Sequence, residues 1–205
     1  MAAVRLASEH DPVPTKPHVK PLALLPIADG CDELEIMTLY DVLTRAGVHV
    51  VTATVGQKKM NMIEAAYGMK IRGQKTIEDS VYERYDLIVL PGGIGASKLR
   101  DCDLLARMLK LQKQEQRWYA AIDTAPSTVF ITHDLLPAHA TCHPSKVRFM
   151  NEHFINEEVV LMGRCVTSQG PGTAMAFSLK LVEVLCGPEQ ANKVAQQVLV
   201  PFPMP

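Results

Sequence analysis

Asp123 closes an apolar run and precedes a Thr-Ala-Pro-Ser stretch that leads into a second one, YAAIDTAPSTVF over residues 119–130. An ionised carboxylate is almost never buried without partners, so an acid at the mouth of a hydrophobic strand requires either a function or a nest of donors. If a strand over 117–122 turns sharply into a helix over 124–132, Asp123 sits on an elbow. Its side chain is then held above the sheet, beside the amide dipoles of a helix N-terminus, which is where a nucleophile belongs. Gly92 and Gly93 end another apolar run, YDLIVLPGG, and carry no side chains to block a substrate. Their amides, with that of Thr124, can form an anion-binding nest or oxyanion hole. A tight strand-to-helix turn explains the same two glycines equally well.

Two further residues qualify by type and place. Glu35 lies in the first turn or two of a helical segment that follows the first apolar run, from where its carboxyl can reach over the strand ends. Acids at helix N-termini commonly act only as partners of the helix dipole; that reading covers Asp32 and Glu33 and competes with a chemical role for Glu35. His143, in ATCHPSK, precedes a proline at a loop where a general acid or base can sit, against the commoner structural role of a lone histidine. His133, His139 and His153 receive no catalytic role. Cys142, next to His143, is a substitute thiol by position, but a packed and inert cysteine is the better reading.

These residues need a scaffold that brings them together. PLALLPIA (21–28), VHVVTATV (48–55), YDLIVLPGG (85–93) and RWYAAI (117–122) read as buried strands, and RCVTS as a late one. Between them, CDELEIMTLYDVLTRAG (31–47) and CDLLARMLKLQKQEQ (102–116) have helical spacing. GTAMAFSLKLVEVLCG (172–187) puts Phe177, Leu181 and Leu185 on one stripe, and Pro188 opens a last helix. Strands alternating with helices predict an α/β fold, a mostly parallel sheet covered on both faces. Ligands of such sheets collect outside the carboxyl ends of the strands, where ADGCDELE, PGG, DTAPS and TSQGPGT all fall.

The bulk properties narrow the function classes. At 205 residues the chain holds one substantial core, and residues 20–205 are expected to form one domain behind a flexible N-terminal extension, 1–19. A net charge of −1 provides no basic field for nucleic acid or anionic lipid, and no apolar run approaches the roughly 20 residues of a membrane span. A cytoplasmic protein with neither partner is expected. The five cysteines are scattered, with no CxxC pair, and predict free thiols, no disulfide framework and no metal site.

Taken in order, DELE, DVLTRAG, YDLIVLPGG, AAI-x-x-AP, THDLLPAHATCHPSK and VTSQGPGT closely resemble the ThiJ/PfpI superfamily, in the branch of the Parkinson-disease-associated deglycase and chaperone. The resemblance runs from about Pro21 to the final helix. It implies a flavodoxin-like three-layer sandwich of the class I glutamine amidotransferase type and a homodimer. It also implies a cofactor-independent site made of a reactive cysteine on the elbow, a protonated glutamate on the first helix and a nearby histidine. The matching positions are Asp123, Glu35 and His143, with Gly92, Gly93 and Thr124 supplying backbone amides. Activities in the superfamily include glyoxalases and deglycases acting on methylglyoxal or its adducts, proteases and chaperones, so the expected substrate is a small aldehyde or a glycated molecule, and protein clients or signalling partners are the alternative.

The departure is at the centre of the motif. Relatives read AAICAxP or AAICTAP where this chain reads AAIDTAP, an otherwise intact pattern around one exchanged residue, as expected of a substitution in a cysteine-containing parent. A carboxylate is a far weaker nucleophile toward an aldehyde than a thiolate and cannot climb the cysteine oxidation ladder. In charge and in its two acceptor oxygens it does resemble a cysteine sulfinate. Asp123 is therefore expected to imitate the oxidised form, with little activity, and to share a proton with Glu35 that resides on Glu35. Two rival readings stand beside this one. An aspartyl-phosphate protein would use Asp29, Asp32 and Glu33 to bind magnesium, but leaves PGG and GPGT without a role. A non-catalytic redox sensor or chaperone dimer would use the site as a switch.

Overall fold

The computed structural model describes residues 20–56 and 61–201. The extension expected over 1–19 lies outside the described residues. β1 (Leu22–Ile27) is apolar on both faces, and Ala23 to Ile27 are all buried, the signature of a central strand covered from both sides. α1 (Glu33–Arg45), β2 (His49–Thr54), a hairpin of β3 (Met62–Glu64) and β4 (Lys70–Arg72), β5 (Lys75–Thr76) and α2 (Ile77–Ser80) follow. Next come β6 (Leu87–Leu90), α3 (Ala96–Arg100), α4 (Asp103–Gln114) and β7 (Trp118–Ile122). After an irregular stretch, β8 (Val159–Met162), β9 (Cys165–Ser168), α5 (Ala174–Cys186) and α6 (Pro188–Gln197) complete the chain.

The main sheet has seven strands in the order β5-β2-β1-β6-β7-β9-β8, all parallel except β8, which returns antiparallel to β9. α1 packs on α5 and α5 on α6, while α2, α3 and α4 pack together, with α4 against β6 and β7. The result is the mostly parallel sheet covered on both faces that the alternating pattern predicts, in the flavodoxin-like three-layer sandwich that the resemblance implies. The β1–β6 ladder stops at Leu24 and Ile88, two residues before Pro26, which has no N–H to donate. No helix among the described residues is long and apolar enough to cross a membrane.

Three features depart from expectation. The hairpin β3–β4 and the edge strands β5 and β8 are two to four residues long, too short for periodicity to reveal. The helix expected over 124–132 is instead a π-helical turn, Pro126–Phe130, followed by turns. Pro126 lacks a donor at its start, and the N–H of Ile131 reaches back five residues to the carbonyl of Pro126 at 3.3 Å. The strand-like run before His143 is one bridge, Ala140 to Phe154, and a 3₁₀ helix, Pro144–Phe149, follows the histidine.

Candidate active site

The site is built where the loop after β1 is stitched to the loop after β6. Asp32 N–H donates to Gly92 O at 3.2 Å, Gly95 N–H to Gly30 O at 2.8 Å, and Cys31 forms a bridge with Gly93. This close approach has no room for side chains: a Cβ on Gly93, where φ is +78°, would lie 2.6 Å from Gly30 O. A Cβ on Gly92 would fall on the side chain of Asp123. The two glycines are thus required both by the turn and by the acid beside it.

Asp32 caps α1, its carboxylate accepting from the N–H groups of Leu34 and Glu35 at 2.9 and 3.1 Å. Asp29 accepts from Glu64 N–H and pairs with Lys98, and Glu33 receives Tyr67 N–H. The acids after β1 therefore anchor the helix start and the β3–β4 hairpin, and among the described residues no three acids, histidines or cysteines are arranged to hold a metal ion.

Glu35 differs from them. It is fully buried, its Oε2 accepts Gly92 N–H at 2.7 Å, and its Oε1 has no partner among the described residues. Burial first, and the negative charge of Asp123 second, raise its pKa to about 9 against a smaller opposing effect of the Gly92 hydrogen bond. At neutral pH Glu35 therefore carries a proton. Because Oε2 is the acceptor, the proton belongs on Oε1.

Asp123 is 6% exposed and sits on the elbow with φ +61°, a left-handed conformation that Asp tolerates better than most residues. Its backbone is held from both sides: its N–H donates to Ser168 O at 3.1 Å, and its carbonyl accepts His143 N–H at 2.9 Å. The side-chain Oδ2 accepts Gly93 N–H at 2.7 Å. The two amides expected to wait for a substrate are thus each occupied by a carboxyl group of the protein itself. Thr124 acts through its hydroxyl, which donates to Gly93 O at 2.9 Å; among the described residues nothing accepts its N–H.

His143 arrives with its backbone already tied to the elbow. Ser145 N–H donates to its Nδ1 at 3.2 Å, and Ser145 Oγ lies 2.8 Å from the same atom. In the neutral ring the proton therefore sits on Nε2. Gly170 lies against both groups, since a Cβ there would be 3.5 Å from His143 Cδ2 and 3.8 Å from Asp123 Oδ1. The chain thus brings Glu35, Asp123 and His143 to one place, together with the start of GPGT. Sequence reasoning missed Ser145 as the residue orienting the histidine; its offset of two from His143 was the available signal. Cys142 is buried, and burial pushes its thiol up to about 11, which leaves it un-ionised at neutral pH.

The DJ-1/PfpI family profile matches residues 22–184. The chain belongs to the DJ-1/PfpI family. It is 35% identical over 176 residues to the glutathione-independent glyoxalase DJR-1.2 of Caenorhabditis elegans, covering 84% of this chain and 92% of that protein. It is 36% identical over 185 residues to DJ-1 homolog B of Arabidopsis thaliana, covering 88% of this chain but only 41% of that longer protein. Among solved structures, oxidized DJ-1 of Toxoplasma gondii superposes with a TM-score of 0.86 at 34% identity, covering 89% of this chain and all of that one.

The electrostatic coupling of the two acids is open to test. Asp123→Asn keeps an acceptor on the elbow and a residue that tolerates its backbone angle, but removes the charge. Carbon-13 NMR of the Glu35 carboxyl should show its pKa fall below 9 yet stay above the ordinary glutamate range, because burial is the larger cause. An unchanged titration would mean that the two carboxyls do not feel each other.

Proposed function

We propose that this chain is a redox-responsive DJ-1/PfpI protein whose cysteine-containing form is a cofactor-independent glyoxalase or deglycase acting on methylglyoxal or its adducts. Asp123 stands at the nucleophile position and holds the site in the state a cysteine sulfinate would produce. The supporting observation is the paired nest: Gly93 N–H on the Asp123 carboxylate, and Gly92 N–H on a neutral Glu35. A sulfinate presents the same charge and two acceptor oxygens to the same donors.

The chemistry follows from the occupied amides. Turnover of an aldehyde needs a nucleophile to add to the carbonyl and donors to receive the resulting oxyanion. Here the nucleophile is a carboxylate, and its own oxygen sits on Gly93 N–H. Glu35 Oε1–H and His143 Nε2–H remain as proton donors without an effective nucleophile to serve. A homodimer through the outer face of α1 is part of the same proposal, with Leu34 and Met37 about half exposed there while Ile36, Leu39, Val42 and Leu43 face the core.

Lactate formation from methylglyoxal provides the test. The present chain should be near the protein-free blank, within roughly tenfold, as expected when an effective nucleophile is missing. Robust turnover with Asp123 in place would overturn the assignment of this residue.

A further inference from the structure

A cleft of about 440 Å³ opens directly from the elbow, and the function proposed above gives it no role. It shares Gly93 and Thr124 with the Asp123 nest and extends outward past Ser97 and Arg100 of α3, Thr128 of the π-helical turn and Lys146 of the 3₁₀ helix after His143. A neutral three-carbon aldehyde fills only a fraction of that volume, which lies within the range of small-molecule sites.

Its charge is one-sided. No acidic side chain lines the cleft. Arg100 is already matched, its Nε and Nη2 donating to the two carboxylate oxygens of Asp101 at 2.7 and 3.0 Å. Lys146 is half-buried, with its ammonium 5.7 Å from the centre of the Phe149 ring, and no carboxylate among the described residues pairs with it. The hydroxyl of Thr128 likewise makes no hydrogen bond among the described residues. The cleft therefore has a reacting end at the elbow and, within the same walls, an uncompensated cation with a free hydroxyl.

We propose that this cleft binds the anionic tail of a ligand whose carbonyl end reaches the elbow, with Lys146 as the specificity-determining residue. The ligand class is a carbonyl compound carrying a carboxylate or a phosphate, and the assignment rests on the elbow being the carbonyl site. Lys146 supplies the attraction, the hydroxyl of Thr128 adds a donor, and Ile94, 81% exposed at the rim, covers the aliphatic spacer, while the Ser97 hydroxyl stays engaged with Ile94 O at 2.9 Å.

Isothermal titration of the full chain at low ionic strength decides the matter, using 4-oxobutanoate, glyceraldehyde 3-phosphate and the uncharged butanal. At least one anionic ligand should bind ~10-fold more tightly than butanal, the scale of one partly screened charge contact. Which of the two binds more tightly identifies the anion. Lys146→Gln should reduce the preference to within about twofold, while Lys146→Arg retains most of it. Equal affinity for charged and neutral ligands, a preference that survives Lys146→Gln, or no binding by any of the three would overturn the proposal. These readouts measure binding with Asp123 in place, so their failure leaves the low turnover of this chain standing. Conversely, robust methylglyoxal turnover by the present chain would reject the earlier reading without touching a preference set by Lys146.

Discussion

Asp123→Cys should convert the chain into a working aldehyde-processing enzyme, raising lactate formation from methylglyoxal by at least ~100-fold over the parent, the scale on which removing or restoring a nucleophile acts. Two changes combine in the one substitution. A thiol on the elbow can ionise and add to the aldehyde carbonyl, forming a hemithioacetal that a carboxylate does not form usefully. The exchange also takes away the oxygen that occupies Gly93 N–H at 2.7 Å, freeing a backbone donor for the oxyanion of the adduct. Glu35, bound to the neighbouring Gly92 N–H, and His143, whose backbone N–H is tied to the carbonyl of residue 123, are already in place to move protons. The same variant should take up oxygen from peroxide at residue 123, read as an intact-mass shift absent from the parent. Its stability should fall by about 1 kcal/mol, because the elbow holds φ at +61° and cysteine tolerates that region less well than aspartate. Turnover no better than the parent, from a protein that remains folded by circular dichroism, would mean that residue 123 is not the nucleophile position.

The second large effect concerns stability against pH. Glu35 titrates near 9 in the folded protein against an ordinary 4.5. Between those values the native state keeps a proton that the unfolded chain has released, so the stabilising contribution is complete below about pH 4.5 and is lost as pH rises toward 9. Glu35→Gln retains an acceptor for Gly92 N–H and cannot ionise. Relative to this variant, the parent should lose on the order of 5 kcal/mol of unfolding free energy between pH 5 and pH 9, at up to ~1.4 kcal/mol per pH unit. Urea midpoints measured across that range provide the readout. Parallel profiles for the two proteins would show that Glu35 is already ionised at neutral pH.

The acids after β1 show why the sequence divided so cleanly into what it revealed and what it withheld. Asp32, Glu33 and Glu35 lie at the cap and in the first turn of one helix, and their residue types do not distinguish them. Asp32 faces the amides of its own helix, and Glu33 faces the hairpin. Only Glu35 points inward, onto an amide contributed 57 residues later. That difference depends on how closely the β1 and β6 loops approach, which is set by tertiary packing at Gly93 and Gly95.

By itself the sequence determined the parallel core and the elbow. Continuous apolar runs can be buried only between two helical layers, and a run that ends in an acid before Thr-Ala-Pro must turn there. It also contained, in the order of its motifs, the family to which the chain belongs. Tertiary structure alone decided that the Gly92 and Gly93 amides are filled by Glu35 and Asp123 rather than left open for a substrate, that the turn after the elbow is π-helical, and that Ser145 sets the His143 ring. Periodicity records which face of an element is buried. Which donor meets which acceptor depends on ångström-scale distances between segments remote in sequence, and those distances exist only once the sheet has assembled.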